Sequence, residues 1–318
     1  MHRQEISKVR QIKSESKTRA QHDDKHAAAV FDLQQNMYLP KSNRGELFYK
    51  RRLACYNFTI YNLANHAGSC YLSNETVTRR GACEVSTYVL DYLSNCDKEG
   101  KTSVDFFCDG CVGQNKNSIV PSMVHRFVSE AKSVQVVTFY YFETNHGQSE
   151  GDSMHSTIEK CLARSEEVFH PCQLSSIIKE ARKDPCPYTV RHVQTNDILD
   201  WKTYGHNLGI LKCRQADTGE AIDWTTFKQI RISKEFPTSI LFKTSHNTND
   251  FSILSLGRSR SLRSTTPAVH IDPPSQLYQS RPKLSAGKYS DLVSLCRGTY
   301  PVISQPELVD YYINLPHE

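Results

Sequence analysis

Apolar and polar residues follow two different periods along the chain, and these periods predict the strands and helices. Short runs rich in β-branched and aromatic residues are typical of strands, whereas apolar residues three and four positions apart are typical of helices. On this pattern we expect strands over 27–33, 53–63, 68–72, 104–108 and 134–142. We expect helices over 83–93 and 119–131, and a third helix that begins near Gly151.

The order of these elements predicts the fold class. Three successive strands favour an antiparallel meander, and the strand–helix alternation that follows favours parallel additions to it. The sequence therefore predicts an α/β protein with a ribonuclease-H-like mixed sheet, in which a three-strand meander is followed by strand–helix units. In that fold the acidic residues of the site come from the first strand, the fourth strand and the last helix. Glu84 lies on the first predicted helix, where some enzymes of this fold carry a further acid.

Composition divides the chain into five expected segments. These are a charged N-terminal segment (1–26), the ribonuclease-H-like core (27–185), a C-terminal α+β extension (186–256), a Ser-, Arg- and Pro-rich linker (257–285) and a small helical tail (286–318). Beyond residue 160 the pattern is weaker. It predicts helices over 174–181, 289–296 and 306–315, and strands over 188–193, 226–232 and 239–244.

Two charged stretches leave alternatives open. Residues 1–26 are dense in Lys, Arg, Glu, Ser and Gln, which favours a solvated helix or a frayed tail, with a nucleic-acid contact as the alternative. The Arg- and Ser-rich run at 258–263 favours a solvated linker. Its alternatives are a phosphate contact and a nuclear localisation signal.

Length, composition and charge narrow the class of protein. The chain has 318 residues, enough to bury a sizeable core, and its hydrophobic content of 38% indicates unpacked ends. We expect no membrane partner, because no apolar run has the length of a membrane span and no signal peptide opens the chain. The 11 cysteines are then expected to be mostly free thiols in the nucleus or cytoplasm. The net charge of +5 permits DNA binding without requiring it.

Acidic residues end two predicted strands and open one predicted helix. Asp32 lies near the end of the first strand, and Asp109 follows the apolar run 104–108 and precedes a glycine-rich polar loop. Asp152 and Glu159 lie on the helix after strand 134–142. Carboxylates are the ligands that Mg²⁺ and Mn²⁺ prefer, and a pair of such ions supports phosphodiester cleavage. We therefore predict a catalytic metal site of Asp32, Asp109 and Asp152, with Glu159 as the substitute for Asp152.

Polar residues near these acids are predicted to assist the reaction. His155 lies on the helix that carries the third acid and is expected to orient water or to contact the scissile phosphate. Gln114, Asn115 and Lys116 lie in the loop after Asp109 and are expected to hold the nucleic-acid backbone.

Each of these residue types also has a structural interpretation. Asp109 could cap the amides of its loop, Asp152 could cap the helix that it opens, and His155 could be a buried structural histidine. Asp32 on its own is a weak signal, because aspartate is common at strand ends, and its weight comes from the predicted strand order.

Cys108 and Cys111 have the spacing of half a zinc site. A second cysteine or histidine pair is missing from the sequence, which leaves His146 and His155 as the remaining ligands for such a site. We expect Cys108 to point into the core instead.

Several stretches of the chain resemble a known family. They are 31–35, 48–53, 56–58, 109–117 and 146–159, together with 288–292 and 311–316 in the tail. With these stretches the chain resembles the transposase-derived family of unknown function that is found in many copies in insect and other animal genomes. The resemblance covers most of the chain from about residue 27 and implies a ribonuclease-H-like transposase core.

The chain also departs from the pattern of that family. Asn62 stands where members often carry Asp, and Gly110 and Val112 stand where the commoner motif has Asn and Gly. Members usually have a longer N-terminal region with zinc- or DNA-binding modules, so one interpretation of this chain is a truncated or decayed copy.

Two functional hypotheses follow. The first is a transposase-like, metal-dependent nuclease or strand-transferase core that acts on DNA phosphodiesters with Mg²⁺ or Mn²⁺ in the nucleus, and that is compatible with a homo-oligomer. The alternative is a catalytically inactive, transposon-derived nuclear protein that binds DNA or protein. The Asn62 departure and the modest net charge favour this alternative.

Overall fold

The computed structural model describes residues 2–143, 149–210, 215–256 and 271–318. In these ranges the strands are β1 (His26–Leu33), β2 (Met37–Leu39), β3 (Leu53–Asn62), β4 (Gly68–Asn74), β5 (Ser103–Cys108), β6 (Val136–Tyr141), β7 (Thr189–His192), β8 (Gln229–Ser233), β9 (Ser239–Lys243) and β10 (Ser252–Ser255). The helices are α1 (His2–His22), α2 (Ala82–Lys98), α3 (Ile119–Glu130), α4 (Glu150–Arg164), α5 (Pro171–Glu180), α6 (Trp201–Leu208), α7 (Ala286–Ser294) and α8 (Pro306–Ile313).

One mixed sheet of ten strands organises the described part of the chain. Its order is β10-β9-β8-β6-β5-β1-β3-β4-β7, and β2 pairs with β3 beside this path. β1, β3 and β4 form the predicted antiparallel meander. β5 adds in parallel to β1, and β6 adds in parallel to β5, as predicted. The chain is therefore a mixed α/β protein.

The C-terminal strands extend the same sheet. β8, β9 and β10 add in antiparallel fashion beyond β6, and β7 adds in parallel beyond β4 at the other edge. Residues 186–256, which we expected to be an extension of the core, thus share its sheet.

Alternating residues of the central strands face two helical layers. On β5, Phe106 belongs to the apolar cluster that includes residues of α2, α3 and α6, whereas its neighbour Phe107 packs with residues of α1. Both side chains are fully buried. The sequence of a central strand that is covered on both faces is a continuous apolar run, which is why the pattern predicts β5 well.

The second helical layer contains α1, α4, α5, α7 and α8. The N-terminal segment, expected to be a solvated helix or a frayed tail, forms the helix α1, whose Val9 and Ala20 are buried against the sheet. Met154 of α4 and Leu292 of α7 belong to a further apolar cluster beside β3 and β4. The polar face of α1 remains in solvent.

The expected linker packs on the core over the part that is described. The backbone N–H of Leu277 donates to the carbonyl of Ile198, and the hydroxyl of Tyr278 donates to Glu84. The rest of the expected linker, 257–270 with its Arg-rich run, lies outside the described residues. None of the helices in the described ranges is long and apolar enough to cross a membrane.

Candidate metal-binding active site

Asp32 and Asp109 lie at the carboxyl ends of two neighbouring parallel strands. β1 and β5 are paired in register up to Val30 with Phe107. Asp32 and Asp109 each follow two residues after this last pair, so the same register brings them side by side. The fold thus brings together the two strand-end carboxylates that the sequence singles out.

The first turn of α4 brings a third carboxylate to this edge of the sheet. Gly151 is buried against the end of β1, where a methyl group on it would lie 3.5 Å from Cβ of Asp32. Asp152 follows directly and accepts a hydrogen bond of 2.7 Å from the backbone N–H of Ser149. The Ser149 hydroxyl in turn accepts one from the N–H of Gly151. Asp152 therefore caps the helix and also approaches Asp32.

We call Asp32, Asp109 and Asp152 the aspartate site, and in the described part of the chain no lysine or arginine side chain is paired with it. Burial, followed by the charges of Asp109 and Asp152, raises the pKa of Asp32 to about 7, although the backbone N–H of Leu33 donates to this carboxyl. Among the described residues, no lysine or arginine forms an ion pair with any of the three aspartates. Uncompensated carboxylates in a partly buried position form an environment that favours a bound cation.

Glu159, the substitute for Asp152, lies farther along the helix and has a different partner. Its Oε1 accepts a hydrogen bond of 3.3 Å from Nε2 of Gln34. Gln34 is itself fixed by Asn57, whose Nδ2 donates to Gln34 Oε1 at 2.9 Å. Glu159 is also missing from the charges that raise the pKa of Asp32. The geometry therefore favours Asp152 as the third carboxylate.

His155 lies behind Asp32 and is buried. Its Nε2 is 2.7 Å from the hydroxyl of Thr59, which donates to the backbone carbonyl of Asp32, so Nε2 is the protonated ring nitrogen. Nδ1 then faces the Asp32 carboxyl at 3.8 Å. Burial lowers the pKa of His155 to about 4, and the charges of Asp152 and Glu159 offset this only in part. A neutral, buried imidazole suits a residue that positions Asp32 better than one that contacts a phosphate.

The loop after Asp109 folds inward, which differs from the predicted role of its polar residues. Asn115 is buried and donates a 2.8 Å hydrogen bond to Oδ1 of Asp109, and its carbonyl accepts one from the Tyr141 hydroxyl. Lys116 is also buried, with its ammonium 5.4 Å from the centre of the Tyr141 ring. Gln114 is half-buried. Asn115 thus orients a site carboxylate, and Lys116 is not exposed to hold a nucleic-acid backbone.

Sequence reasoning missed a second cluster of potential ligands. Among the described residues, one set of three acidic, histidine or cysteine side chains has ligand atoms that all lie within 4.8 Å of one another: Glu5, Glu143 and His246. The carboxylate oxygens of the aspartate site are spaced more widely than this. Glu5, Glu143 and His246 come from three distant parts of the chain, and no local motif connects them.

Two other polar residues of the sequence analysis have structural partners. Glu84 is buried and accepts hydrogen bonds from the backbone N–H groups of Gly81 and Arg79, so it caps the start of α2. Asn62 accepts hydrogen bonds from the backbone N–H of Ala64 and of Asn65 and thereby fixes the turn after β3.

The two cysteines of the half zinc site form no ligand cluster in the described part of the chain. Cys108 is fully buried, and burial raises the pKa of its thiol well above the usual range. Burial also raises the pKa of Cys111, which is half-buried. His146, one of the two histidines considered as partners, lies outside the described residues.

We compared the chain with protein-family models, with curated proteins and with solved structures, and none of the three comparisons finds a match.

Proposed function

We propose that this protein is a transposase-like, metal-dependent nuclease or strand-transferase core that acts on DNA phosphodiesters. The observation that carries the proposal is the aspartate site, in which three carboxylates that form no ion pair with a lysine or arginine of the described residues gather at the carboxyl edge of parallel strands. This edge is the usual place for sites in α/β sheets.

The donor set suits Mg²⁺ or Mn²⁺. Both ions prefer oxygen ligands, and the aspartate site offers carboxylates only. The carboxylate oxygens of the three aspartates are spaced more widely than those of a compact site for one ion. This spacing is compatible with two ions about 4 Å apart that share ligands. When bound, such ions would activate an attacking oxygen and neutralise the leaving oxygen of a phosphodiester.

The chain's own residues hold this donor set in place. Asn115 fixes the orientation of Asp109, and the capped first turn of α4 fixes Asp152. His155 and Thr59 brace the end of β1 from behind. These contacts keep the carboxylates at their mutual distances before any ligand arrives, which limits the reorganisation that binding requires.

The strand order supports a ribonuclease-H-like core. The segment β4-β3-β1-β5-β6, with an antiparallel meander and two parallel additions, is the order expected for that fold. The sequence resemblance to transposase-derived proteins leads to the same proposal, which includes a nuclear location.

An exposed aromatic pair lies beyond the end of the sheet that carries the aspartate site and supports DNA as the substrate. Phe48 and Tyr49 are 85% and 84% exposed, and their rings are 5.1 Å apart. They lie between β2 and β3. Because β3 is antiparallel to β1 and Leu33 is opposite Phe58, the first residues of β3 extend beyond the carboxyl end of β1. Bases of a single strand stack on such aromatic side chains.

Three basic residues, Lys50, Arg51 and Arg52, follow the aromatic pair directly. Lys50 and Arg51 form ion pairs of 3.8 Å and 2.6 Å with Asp291 of α7. The guanidinium of Arg52 lies 5.5 Å from the centre of the half-exposed Tyr38 ring. A surface that combines aromatic and cationic side chains suits a nucleic-acid backbone and its bases together.

A second candidate function is a non-catalytic, transposon-derived nuclear protein that binds DNA or protein. One observation favours it: the oxygens of the aspartate site are not gathered within 4.8 Å as those of Glu5, Glu143 and His246 are. This function needs the Phe48–Tyr49 surface and does not need the aspartates.

A nicking assay on supercoiled plasmid DNA with Mn²⁺ separates the two functions. We expect the wild-type protein to nick the plasmid and Asp109→Asn to lose at least about 100-fold in rate, because a site that stabilises transition-state charge loses a ligand. The control is Glu235→Gln, an exposed acid in the turn after β8, at the opposite edge of the sheet. DNA binding without nicking by the folded wild-type protein would instead support the second function.

A further inference from the structure

The cluster of Glu5, Glu143 and His246, here called the glutamate–histidine site, lies outside the aspartate site. Glu5 belongs to the first turn of α1, Glu143 follows β6, and His246 follows β9. All three residues are buried, and their potential ligand atoms lie within 4.8 Å of one another. The cluster thus joins three elements that are distant in sequence.

His246 has a buried ring nitrogen that lacks a partner. Its Nε2 lies 3.0 Å from the backbone carbonyl of Tyr141 and must donate to it, which leaves the lone pair on Nδ1. His246 is 3% exposed, and Nδ1 has no hydrogen-bond partner among the described residues. An imidazole that donates one N–H to a backbone carbonyl and keeps its other nitrogen free has the arrangement of a metal-ligating histidine.

Burial and hydrogen bonds shift the pKa values of two members of the cluster, His246 and Glu5. Burial lowers the pKa of His246, although the hydrogen bond to Tyr141 and the charges of Glu5 and Glu143 oppose this, so the imidazole is neutral. Burial would raise the pKa of Glu5, but hydrogen bonds from Ser245, the His246 N–H and Asn247 lower it overall, so this carboxylate is ionised. A neutral imidazole and ionised carboxylates are the forms that bind metals.

Glu143 is bordered by a lysine and by a second imidazole. Its Oε1 lies 2.6 Å from Nζ of Lys228, as in an ion pair, but without hydrogen-bond geometry. Its Oε2 lies 3.4 Å from Nδ1 of His2, so a second imidazole borders the cluster. Lys116 also lies close enough for its charge to interact with Glu143, so the geometry of the ligand atoms and not an excess of negative charge marks this cluster.

We propose that the glutamate–histidine site binds a divalent transition-metal cation such as Zn²⁺. The free Nδ1 of His246 carries this assignment, because an imidazole with two carboxylates is a donor set that Zn²⁺ accepts and that Mg²⁺ does not prefer. The bound ion fastens the first turn of α1 to the ends of β6 and β9. It acts as a structural tie and takes no part in the chemistry of the aspartate site.

The test is a Zn²⁺ titration of the full chain by calorimetry, in the presence of millimolar Mg²⁺ to occupy the aspartate site. His246→Gln is the decisive variant, because the glutamine amide can still donate to the Tyr141 carbonyl while the ligand nitrogen is lost. We expect one Zn²⁺ per chain in the wild type and an affinity at least about 100-fold lower in His246→Gln. Replacing a residue that only hydrogen-bonds to a metal ligand usually lowers the affinity by less than this. Asp109→Asn serves as the control and is expected to bind Zn²⁺ as the wild type does.

The result that overturns the proposal is equally direct. A folded wild-type protein that binds no Zn²⁺, or Zn²⁺ binding that His246→Gln leaves unchanged, would show that the cluster is only a hydrogen-bond network. If His246→Gln does not fold, anomalous diffraction from wild-type crystals soaked in Zn²⁺ decides. A peak among Glu5, Glu143 and His246 supports the site, and peaks only elsewhere overturn it. Neither measurement depends on DNA cleavage, so failure of the nuclease proposal leaves this test valid.

Discussion

Asp32 and Asp109 lie side by side at the ends of two neighbouring parallel strands, and the charge of Asp109 adds to burial in raising the pKa of Asp32 to about 7. Half of the Asp32 carboxyls are therefore protonated near neutral pH when no cation is bound. When ionised, this carboxylate destabilises the protein that has no bound cation, and a bound cation would remove that destabilisation. Both the stability of the protein and its affinity for cations should therefore depend on pH.

Asp32→Asn should stabilise the metal-free protein at neutral and higher pH. The folded state binds the Asp32 proton more tightly than the unfolded state does, so this residue makes stability fall as pH rises from about 4 to about 7. The variant removes this decrease in stability. We expect its free energy of unfolding to exceed that of the wild type by on the order of 1–3 kcal/mol at pH 7.5 and to be almost the same near pH 4. Urea unfolding with EDTA at the two pH values measures it. An equal or lower stability of the variant at pH 7.5 would contradict the cost that we assign to this carboxylate.

His155 should have the opposite influence on stability. Its pKa of about 4 in the folded protein lies below the usual value of 6.5, so the unfolded state binds more protons between these values and stability rises with pH through this range. His155→Gln keeps an amide donor for Thr59 and cannot take up a proton. In the wild type we expect His155 to raise the free energy of unfolding by on the order of 2–3 kcal/mol between pH 4 and 6.5. The variant should lack this increase.

The same residue offers a direct spectroscopic test. In a histidine NMR titration of the wild type, the His155 ring should remain in the Nε2-protonated neutral form down to about pH 5 and titrate near 4. Titration near 6.5 would mean that the ring is solvated and free to serve another role.

Asp152 and Glu159 should differ in their effect on nicking. Asp152 approaches Asp32 through the first turn of α4, whereas Glu159 is hydrogen-bonded to Gln34. We expect Asp152→Asn to slow plasmid nicking at least about 100-fold and Glu159→Gln to slow it less than about tenfold. Because an amide at position 152 would also weaken the cap at Ser149, the melting temperatures of both variants serve as the control. The reverse ranking, with both proteins folded, would assign the third ligand to Glu159.

Phe48→Ala together with Tyr49→Ala should weaken the binding of single-stranded DNA. Loss of stacking costs about 1–3 kcal/mol per base, so we expect the dissociation constant to rise about tenfold or more at a fixed salt concentration. The fold should be unaffected because both rings are almost fully exposed. Phe236→Ala, in the turn at the opposite edge of the sheet, is the matched control and should bind like the wild type. Equal binding by all three proteins would remove these two rings from the DNA surface.

The sequence predicts the central strands and the first two carboxylates because local signals determine them. An apolar run such as β5 is buried on both faces, and Asp109 directly follows it, so strand order alone places this residue beside Asp32. Short elements are different. β2 has three residues and depends on its pairing with β3, and α6 contains Gly205, whose close approach to Ser122 is decided by packing.

Side-chain roles that depend on tertiary contacts were beyond prediction. The loop after Asp109 is polar, which suggested exposure, yet Asn115 turns inward because it donates to Asp109. His246 and Glu5 belong to the same cluster although they are more than two hundred positions apart in the chain. Only the packing of α1 on the sheet brings them together. A pattern read along the chain cannot contain such a relationship.

Mn²⁺ titration by calorimetry, on the wild type and on Asp109→Asn, tests the central claim most directly. We predict that the wild type binds Mn²⁺ at the aspartate site, with an affinity that falls as pH decreases below about 7 because a proton competes at Asp32. Asp109→Asn should lose this binding, and Glu235→Gln should retain it. Identical Mn²⁺ binding by folded wild type and Asp109→Asn, or none by either, would show that the three aspartates do not form a metal site.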